Sequence, residues 1–372
     1  MMISIRQMDV NKSRTGVCYI LCYYFPRYVR TKTLIDALKR LDRLELHQAI
    51  NTSTGIFRYF ENLWRLLAIR IKHNPDYYIL GFRGYEIFWI VRAITLGKTL
   101  IFDHMMSPYD SWLNEGRRIR KGGIVDKLVY AYEKSTLRHS EVILTDTTIH
   151  KEYFAKLFQI SPNKIHAIPV GADEDLFKRL PSYEYERTDR EFSFEVFFYG
   201  SFLPLHGVDI ILRAAAILRD MPIQFTVVGG QGKDLSDFHQ MIRQLELENV
   251  NHREWVDYEE LPQWIRGADI CLGGPFGNTG QARRVVTGKT FQFLAMGKPT
   301  IVGEIDQNYG FEDKSNCLLV RQGDAQALAD AILWGFNHKY KLDAIGQQGW
   351  ELYNNDFSVN SIKKCIWTIF QL

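Results

Sequence analysis

The sequence has little cysteine, and the pattern of those residues fits neither a disulfide framework nor a zinc site. The five cysteines are Cys18, Cys22, Cys271, Cys317 and Cys365. Their number is odd and their spacings match no common zinc pattern. Cys18 and Cys22 lie in an apolar run, residues 17–25, that resembles a buried strand. We therefore expect buried free thiols, as in proteins of a reducing cytoplasm.

Long apolar runs and a strong charge of one sign are also missing. The longest early apolar run, 17–25, is much shorter than the roughly 20 residues that a bilayer-spanning helix needs. No apolar core or cleavage site of a signal peptide is visible at the start. The formal net charge of +3 argues against nucleic acid as a main partner, because such proteins carry a larger basic excess. These features predict a cytoplasmic protein, soluble or peripheral on the inner face of the membrane.

The chain alternates short apolar runs with longer amphipathic ones, which is typical of parallel sheets covered by helices on both faces. Predicted strands in the first half are 17–25, 44–50, 77–81, 98–102, 142–145 and 165–170. Residues 178–190 are polar and resemble a linker, after which the alternation restarts. The prediction is an α/β fold with two Rossmann-like domains, 1–180 and 190–350, facing each other across a ligand-binding cleft.

The first candidate site is FFYGSFLPLHG, residues 197–207. A strand ends at Gly200, where a ligand can approach the backbone closely, and a helix begins near Gly207. The free N–H groups of that helix suit a diphosphate. His206 lies at the same turn and adds a hydrogen-bond donor. An ordinary strand-to-helix turn is the alternative interpretation.

The second candidate site is GNTGQARRVVTGKTFQFLAMGKPTIV, residues 277–302. It combines a glycine-rich loop with Arg283, Arg284 and Lys289 ahead of a short helix and a buried strand. Three cations beside a helix N-terminus favour an anion-binding site. A solvated run of charges is the alternative.

Taken in order, these segments resemble a known family. GSFLPLHGVDIILRAAAIL, FTVVGGQG, WVDYEELPQWIRGADICLGG and GKTFQFLAMGKPTIV together resemble the donor domain of GT-B glycosyltransferases, in particular the retaining family 4 group. KTLIFDHMMSPYDS, EVILTDTTIHKEYF and IHAIPVGADEDLF resemble that group more loosely. The resemblance implies the GT-B fold, with the last helix, within 354–372, packing back on the first domain.

The resemblance also assigns the sugar-donor site. Ser201 and His206 stand where the family usually carries an arginine and a lysine that hold the diphosphate, and Arg284 and Lys289 would compensate. Arg284 and Gln292 occupy the positions of two glutamates that the family often places eight residues apart. A neutral amide forms weaker bonds to ribose hydroxyls than a carboxylate does. Gly230 would lie near the base.

Asp103 and His104, which follow the strand 98–102, match a family position that faces the transferred sugar. His104 would hydrogen-bond a sugar hydroxyl or support an oxocarbenium-like transition state. A structural capping role for His104 is the alternative. His150 is a weaker candidate that we expect on a helix surface.

The implied reaction transfers a hexose, with retention, from a nucleotide sugar (UDP- or GDP-linked) to a glycan, lipid-linked or protein-linked acceptor. Neither a cofactor nor a catalytic metal is predicted. Loss of the paired glutamates leaves a non-catalytic GT-B subunit as the main alternative. A dinucleotide-dependent oxidoreductase is a second alternative, but the sequence lacks the glycine fingerprint that such enzymes carry after a strand. A sugar-nucleotide epimerase is a third and weaker alternative.

Basic residues near aromatic ones suggest a possible anionic membrane surface as a further partner. One cluster is Arg27, Arg30, Lys32, Lys39 and Arg40, and the other is Arg117, Arg118, Arg120 and Lys121. A plain solvated surface is the alternative.

Overall fold

The computed structural model describes residues 14–24, 28–115, 120–179 and 194–370, and this part forms two parallel sheets of six strands each. Most of the predicted linker, 178–190, lies outside the described residues. The strands of the first sheet are β1 (Thr15–Leu21), β2 (Leu44–Ile50), β3 (Tyr77–Leu80), β4 (Thr99–Asp103), β5 (Val142–Thr145) and β6 (Ile165–Ala167). Those of the second are β7 (Phe194–Gly200), β8 (Ile223–Gly229), β9 (Val250–Arg253), β10 (Ile270–Gly274), β11 (Thr300–Gly303) and β12 (Leu318–Val320).

Helices connect the strands and cover both faces of each sheet. In the first half they are α1 (Val29–Lys39), α2 (Phe57–Lys72), α3 (Phe88–Ile94), α4 (Pro108–Asp110), α5 (Ile124–Arg138) and α6 (Thr148–Phe158). In the second they are α7 (Val208–Ile217), α8 (Gly232–Gln244), α9 (Leu261–Gly267), α10 (Gly288–Ala295), α11 (Ala325–Asn337), α12 (Lys339–Leu352) and α13 (Val359–Phe370). None of these described helices is long and apolar enough to cross a bilayer.

Each sheet has one topological switch point. The strand orders are β2-β1-β3-β4-β5-β6 and β12-β11-β10-β7-β8-β9, with parallel pairing throughout. The chain therefore changes direction between β1 and β3 in the first sheet and between β7 and β10 in the second. Open sheets of this kind bind ligands just beyond the carboxyl ends of the strands at such points.

Alternate residues of the central strands enter different hydrophobic cores. Val17 and Tyr19 of β1 pack with α1 and α13, whereas Cys18 and Ile20 pack against the helices of the other face. Because both faces of a parallel strand are covered, β1 is apolar at nearly every position. Cys18 and Cys22 are buried free thiols, as the sequence predicts.

The last helix returns to the first sheet. Ile362 and Ile366 of α13 are buried in the core that contains α1 and β1. At the end of the helix, the Phe370 ring packs edge-on against Tyr77 of β3, with 4.7 Å between ring centroids. The helix predicted within 354–372 thus contacts the first half of the chain.

The two halves face each other through the carboxyl ends of their sheets. Thr147, just after β5, donates a hydrogen bond from Oγ1 to the carbonyl oxygen of Arg284 at 2.6 Å. The next residue, Thr148, donates its backbone N–H to the hydroxyl of Tyr309. Gly288, the first residue of α10, lies against Val29, the first residue of α1. These contacts place both switch points at the interface between the halves.

Candidate active site

The floor of the candidate site is a close contact between the ends of β7 and β8. The backbone N–H of Gly230 donates to the carbonyl oxygen of Gly200 at 3.2 Å. Gly229 and Gly230 have φ angles of 116° and 91°, which only glycine adopts easily. A Cβ atom at Gly229 would lie 2.0 Å from the Gly200 oxygen. Gly200 and Gly230 therefore lie side by side at the carboxyl ends of β7 and β8, and Ser201 beyond them is exposed.

Lys289 and His206 flank Gly200 on the other side. A Cβ at Gly200 would lie 3.1 Å from His206 Nδ1 and 3.5 Å from Lys289 Cε. Lys289 is buried and His206 half-buried, and burial lowers the pKa of Lys289 to about 7. Burial, together with the charge of Lys289, holds the pKa of His206 well below its usual range. The sequence placed these residues in two separate segments, and the fold brings them together.

Neither group has a counter-ion in the described part of the chain. No carboxylate there lies within 4.0 Å of Lys289 Nζ, which instead sits 5.0 Å from the centre of the Phe198 ring. His206 Nδ1 is buried and makes no hydrogen bond to a described residue. A buried cation without a partner is unfavourable, and a bound anion would relieve that penalty. The pair can therefore hold an anionic group beside Gly200.

The helix α10 places Lys289 and Gln292 in the site. Its first turn is fixed by Thr287, whose Oγ1 donates to the Gly273 carbonyl oxygen at 2.6 Å, at the end of β10. Gln292, also buried, donates from Nε2 to the Tyr258 hydroxyl at 3.0 Å, while its Oε1 has no partner among the described residues. Tyr258 was not singled out from the sequence, although it lies in the segment WVDYEELPQWIRGADICLGG that carries the family resemblance.

Arg284 lies at the interface between the halves rather than beside Gly200. Its guanidinium pairs with the Asp110 carboxylate and stacks on Tyr153, 3.8 Å from the ring centre. The Tyr153 hydroxyl donates to the other Asp110 oxygen at 2.8 Å. In this structure Arg284 therefore joins the second half to the first, and a role in holding the diphosphate stays a prediction. Arg283 is directed to Asn278, with a hydrogen bond of 3.2 Å.

Asp103 is neutralised within the first half. Arg30 donates from Nη2 to Asp103 Oδ1 at 2.9 Å and from Nε at 3.2 Å, and both side chains are fully buried. Arg30 also donates to the carbonyl oxygens of Ile168 and Pro169. The carboxylate is thus held at the end of β4 and is not exposed to the interface.

His104 is buried and tied to a carboxylate that the sequence did not single out. Its Nε2 lies 2.8 Å from Glu133 Oε1, and Glu133 Oε2 accepts the backbone N–H of Tyr109. His104 Nδ1 has no partner within the described part of the chain. Glu133 shares the buried face of α5 with Thr136 and Leu137. An acidic residue on the apolar face of a predicted helix could therefore have indicated a buried polar partner from the sequence alone. The roles predicted for Asp103 and His104 remain predictions.

His150 is not on a helix surface, and that prediction was wrong. Its side chain is buried, and Nδ1 lies 2.5 Å from Asp146 Oδ1. The ring also stacks on Phe154 at 4.9 Å. The residue lies in the first turn of α6, where Thr147 caps the helix.

The first basic cluster is not a free surface, and this part of the membrane prediction needs correction. Arg30 is buried against Asp103, Lys32 pairs with Asp175 at 2.7 Å, and Arg40 pairs with Glu174 at 3.2 Å. The partners of Lys32 and Arg40 belong to the sequence Asp-Glu-Asp at 173–175, which is therefore engaged by basic side chains. Arg27 of this cluster, and Arg117 and Arg118 of the second, lie outside the described residues.

Two surface cavities lie elsewhere. One, of about 650 Å³, lies beside Gly310 and Leu352, and the other, of about 380 Å³, beside His166 and Cys365. Neither is lined by a predicted site residue.

Comparison with known proteins agrees with this architecture. Residues 193–338 match the family "Glycosyl transferases group 1". An uncharacterized glycosyltransferase of Methanocaldococcus jannaschii is 23% identical over 360 residues, covering 92% of this chain and 93% of that protein. Mannosylfructose-phosphate synthase of Agrobacterium fabrum is 23% identical over 188 residues, which cover 46% of this chain and 39% of that enzyme.

Solved structures match over nearly the whole chain. HepE of Anabaena in complex with UDP-glucose superimposes with a TM-score of 0.72 at 15% identity, covering 96% of this chain and 100% of that one. Sucrose-phosphate synthase of Thermosynechococcus elongatus gives a TM-score of 0.70 at 15% identity, covering 96% and 98%. Both structures share the two-sheet architecture described above. The second half of the chain thus matches the glycosyl transferases group 1 family, and the whole chain has the fold of GT-B glycosyltransferases.

Proposed function

We propose that this glycosyltransferase moves a hexose from a nucleoside-diphosphate sugar to a hydroxyl of a glycan, lipid-linked or protein-linked acceptor, with retention of configuration and without a metal ion. The observation that carries the proposal is that Lys289, which is buried, and His206, whose Nδ1 atom is buried, lie beside Gly200 without a described counter-ion. The pair lies at a topological switch point, where α/β sheets bind ligands.

The chemistry of the leaving group explains this arrangement. Sugar transfer breaks the bond between the anomeric carbon and a phosphate oxygen, so negative charge grows on the diphosphate. Lys289 and His206, once protonated, stabilise that charge and take the place that a divalent cation fills in other enzymes. The N-terminal N–H groups of α7 and α10 lie at the same end of the sheet and add to this stabilisation.

Asp103 and His104 have different parts in the proposed reaction. Asp103 is fixed by Arg30 and supports the strand end. His104 is the better candidate for contact with the sugar, because Glu133 fixes one ring nitrogen and leaves Nδ1 without a described partner. If the halves open, that nitrogen can hydrogen-bond a sugar hydroxyl. Glu133 is then a positioning residue for His104.

The sharpest test compares the binding of UDP with that of uridine, the nucleoside that lacks the diphosphate. For Lys289→Met, we expect the affinity for UDP to fall by roughly 10- to 100-fold, because a charge-assisted hydrogen bond contributes about 1.5–3 kcal/mol. The affinity for uridine should not change. Isothermal titration calorimetry of both ligands measures the difference. Lys233→Met, at an exposed position of α8, is the matched control.

Either of two results would contradict this assignment. Equal UDP binding by Lys289→Met and the wild type would remove Lys289 from the diphosphate site. Binding of UDP without any hydrolysis or transfer of UDP-glucose or other nucleotide sugars would favour the non-catalytic subunit. UDP is the first probe because HepE structures contain UDP and UDP-glucose; GDP, ADP and CMP follow.

We also propose that the protein acts at an anionic membrane surface, through the outer face of α2. Five large apolar side chains follow each other at alternating spacings of three and four residues: Phe57, Phe60, Trp64, Leu67 and Ile71, exposed by 71%, 67%, 74%, 40% and 77%. The opposite face holds the buried residues Asn62 and Leu66. The helix therefore has an inner and an outer apolar stripe, and only the inner one is packed.

Neighbouring elements extend this apolar face, and its charge favours an anionic bilayer. Exposed Trp89, Ile90 and Leu96 follow on and after α3, and Arg70 joins the two helices by donating to the Leu96 carbonyl oxygen at 3.1 Å. Besides the apolar stripe, α2 carries four bases, Arg58, Arg65, Arg70 and Lys72, and one acid, Glu61. Basic side chains beside an interfacial helix are each attracted by anionic lipid with about 1 kcal/mol. A second copy of the same basic face would repel the first.

Vesicle sedimentation tests this surface. The wild type should bind vesicles of phosphatidylcholine with phosphatidylglycerol more strongly than vesicles of phosphatidylcholine alone, and Phe60→Ser/Trp64→Ser should lose most of this binding. Tyr340→Ser, at an equally exposed aromatic residue of α12, should behave as the wild type. Unchanged sedimentation of the double variant would show that α2 is not the membrane face.

A further inference from the structure

Three metal-ligating side chains meet outside the active site, where the edge strand β2 passes the end of α2. Glu45 and His47 are two residues apart on β2, so they point to the same face of the sheet. His73 directly follows Lys72, the last residue of α2. One ligand atom from each of the three lies within 4.8 Å of the others.

The separations are close to those of a metal site. His47 Nε2 lies 3.3 Å from Glu45 Oε1. The imidazole rings of His47 and His73 face each other with centroids 4.1 Å apart and planes inclined by 31°. In a tetrahedral zinc site with bonds of about 2.0–2.1 Å, ligand atoms lie roughly 3.4 Å apart. Binding requires the exposed Glu45 and His73 side chains to rotate so that the ligand atoms, now within 4.8 Å of one another, reach that range.

The backbone that carries these ligands is fixed. Glu45 and His47 pair in register with Gly16 and Cys18 of β1. The N–H of His73 donates to the Ile69 carbonyl oxygen at 2.9 Å, which closes the last turn of α2. The ligand set therefore comes from regular elements rather than from a loop, and binding requires little ordering of the chain.

The site is well separated in the fold from the sugar-donor site. The end of α2 leads into β3, which begins at Tyr77, so His73 lies near the amino ends of the strands. Gly200, Lys289 and His206 lie beyond the carboxyl ends of the other sheet. A metal ion held by His73 therefore takes no part in sugar transfer.

We infer that Glu45, His47 and His73 form a binding site for one divalent transition-metal ion, with zinc as the best match. Two imidazoles and one carboxylate suit zinc, and a water molecule completes the tetrahedron. Magnesium prefers oxygen ligands only and does not fit. The bound ion cross-links the edge strand to the end of α2, the helix that carries the exposed apolar stripe.

Metal titration of the full chain without an affinity tag tests the inference. Calorimetry should show one zinc ion bound per chain and no magnesium binding. His47→Ala and His73→Ala should each weaken zinc binding by at least about tenfold, since even outer-shell changes weaken metal sites by 10–100-fold. Cobalt should give the absorption bands of a tetrahedral site with nitrogen and oxygen ligands, and the two variants should lose them.

Two controls keep the outcomes distinct. His139→Ala removes an exposed histidine outside the cluster and should leave zinc binding unchanged. Zinc should raise the thermal midpoint of the wild type but not of the His47 or His73 variants, because only binding to the folded state stabilises it. Zinc binding that survives in both variants, or no binding at 100-fold excess of zinc, would overturn the inference. Neither result bears on UDP binding at Lys289.

Discussion

At the residue scale, the candidate site differs from the usual family pattern in using cations that titrate. Lys289 has a pKa of about 7 because it is buried, and burial also lowers the pKa of His206. A permanently charged arginine would be costly to bury without a partner, whereas Lys289 and His206 can lose their protons while the site is empty. At the proposed donor site, we therefore expect Lys289 and His206 to take up protons when an anion binds.

The first prediction concerns the pH dependence of UDP binding. UDP binds the protonated forms, so its affinity should fall as the pH rises above 7, by up to about tenfold per pH unit for each proton taken up. Calorimetry at pH 7–9, in buffers of different ionisation enthalpy, measures both the affinity and the proton uptake. In Lys289→Arg, whose side chain stays charged, the slope should be smaller. An affinity that is flat or rises over this range would contradict the prediction.

The second prediction concerns the stability of the free protein. The pKa of Lys289 is lower in the folded than in the unfolded state, so unfolding takes up a proton between pH 7 and 10.5. The penalty for burying Lys289 is therefore greatest at or below pH 7 and disappears as the pH approaches 10.5. Lys289→Met should raise the free energy of unfolding at pH 7 by roughly 1–3 kcal/mol, as measured by denaturation. A destabilised variant would indicate a structural role.

Two histidines, His104 and His150, show that the sequence does not reveal the carboxylate partner of a buried side chain. His104 was found from its position after a strand, yet its partner Glu133 is 29 residues away in sequence and was missed. His150 was expected on a surface, because one charged residue in an amphipathic helix usually faces water. Its burial depends on Asp146, which precedes α6 and accepts its ring N–H, and local periodicity does not report such a partner.

At the scale of elements, the candidate site is formed by the ends of the strands, and these ends are harder to predict from the sequence than the buried middles. In the first sheet, β2 and β5 begin and end where the apolar pattern predicts, and the other four strands differ from the predicted ranges mainly at their ends. Hydrophobic periodicity fixes the buried middle of a strand, but turns and the neighbouring strand decide where it ends. The glycine contact between β7 and β8 is such an end.

The third prediction tests that contact. Gly229→Ala should lower the free energy of unfolding by roughly 2–4 kcal/mol, because its Cβ would collide with the Gly200 carbonyl oxygen and its φ is positive. Gly232→Ala is the matched control: its φ is also positive, but no atom lies within 4 Å of the added Cβ. Chemical denaturation of both variants separates the collision from backbone strain. Equal losses would show that the collision is relieved at no cost.

At the scale of the whole molecule, Arg284 connects the two halves. It comes from the loop before α10 and reaches Asp110 and Tyr153 of the first half. Any separation of the two halves on ligand binding must break or stretch this contact. Arg284 is therefore the group whose environment changes most directly with the distance between the halves.

The fourth prediction is a coupling between Arg284 and Asp110. In a double-mutant cycle with Arg284→Ala and Asp110→Ala, the free energies of unfolding should be non-additive by about 0.5–3 kcal/mol, as for other contacting residues. Each single variant should also change the rate of UDP binding, because opening is easier. Additive effects in the cycle would mean that the two side chains act independently. Asp306→Ala, an acid of the same half as Arg284, serves as the control.

The sequence alone determined the fold class and the number of sheets, and it predicted the segments of a sugar-donor site. The fold class depends on apolar periodicity, glycines and turns, which are local and therefore visible in the chain. The same patterns predicted Gly200, His206 and Lys289 as site residues, and the family resemblance added Gly230, but neither indicated that Lys289 and His206 flank Gly200.

Only the tertiary structure decided which charges are compensated. It paired Arg30 with Asp103 and Arg284 with Asp110, placed Lys32 and Arg40 on the acids of 173–175, and left Lys289 without a described carboxylate. It also brought Glu45, His47 and His73 together from β2 and the end of α2. Charges and metal ligands act over a few ångströms in space, and partners separated by 26 to 174 residues become neighbours only when the chain folds.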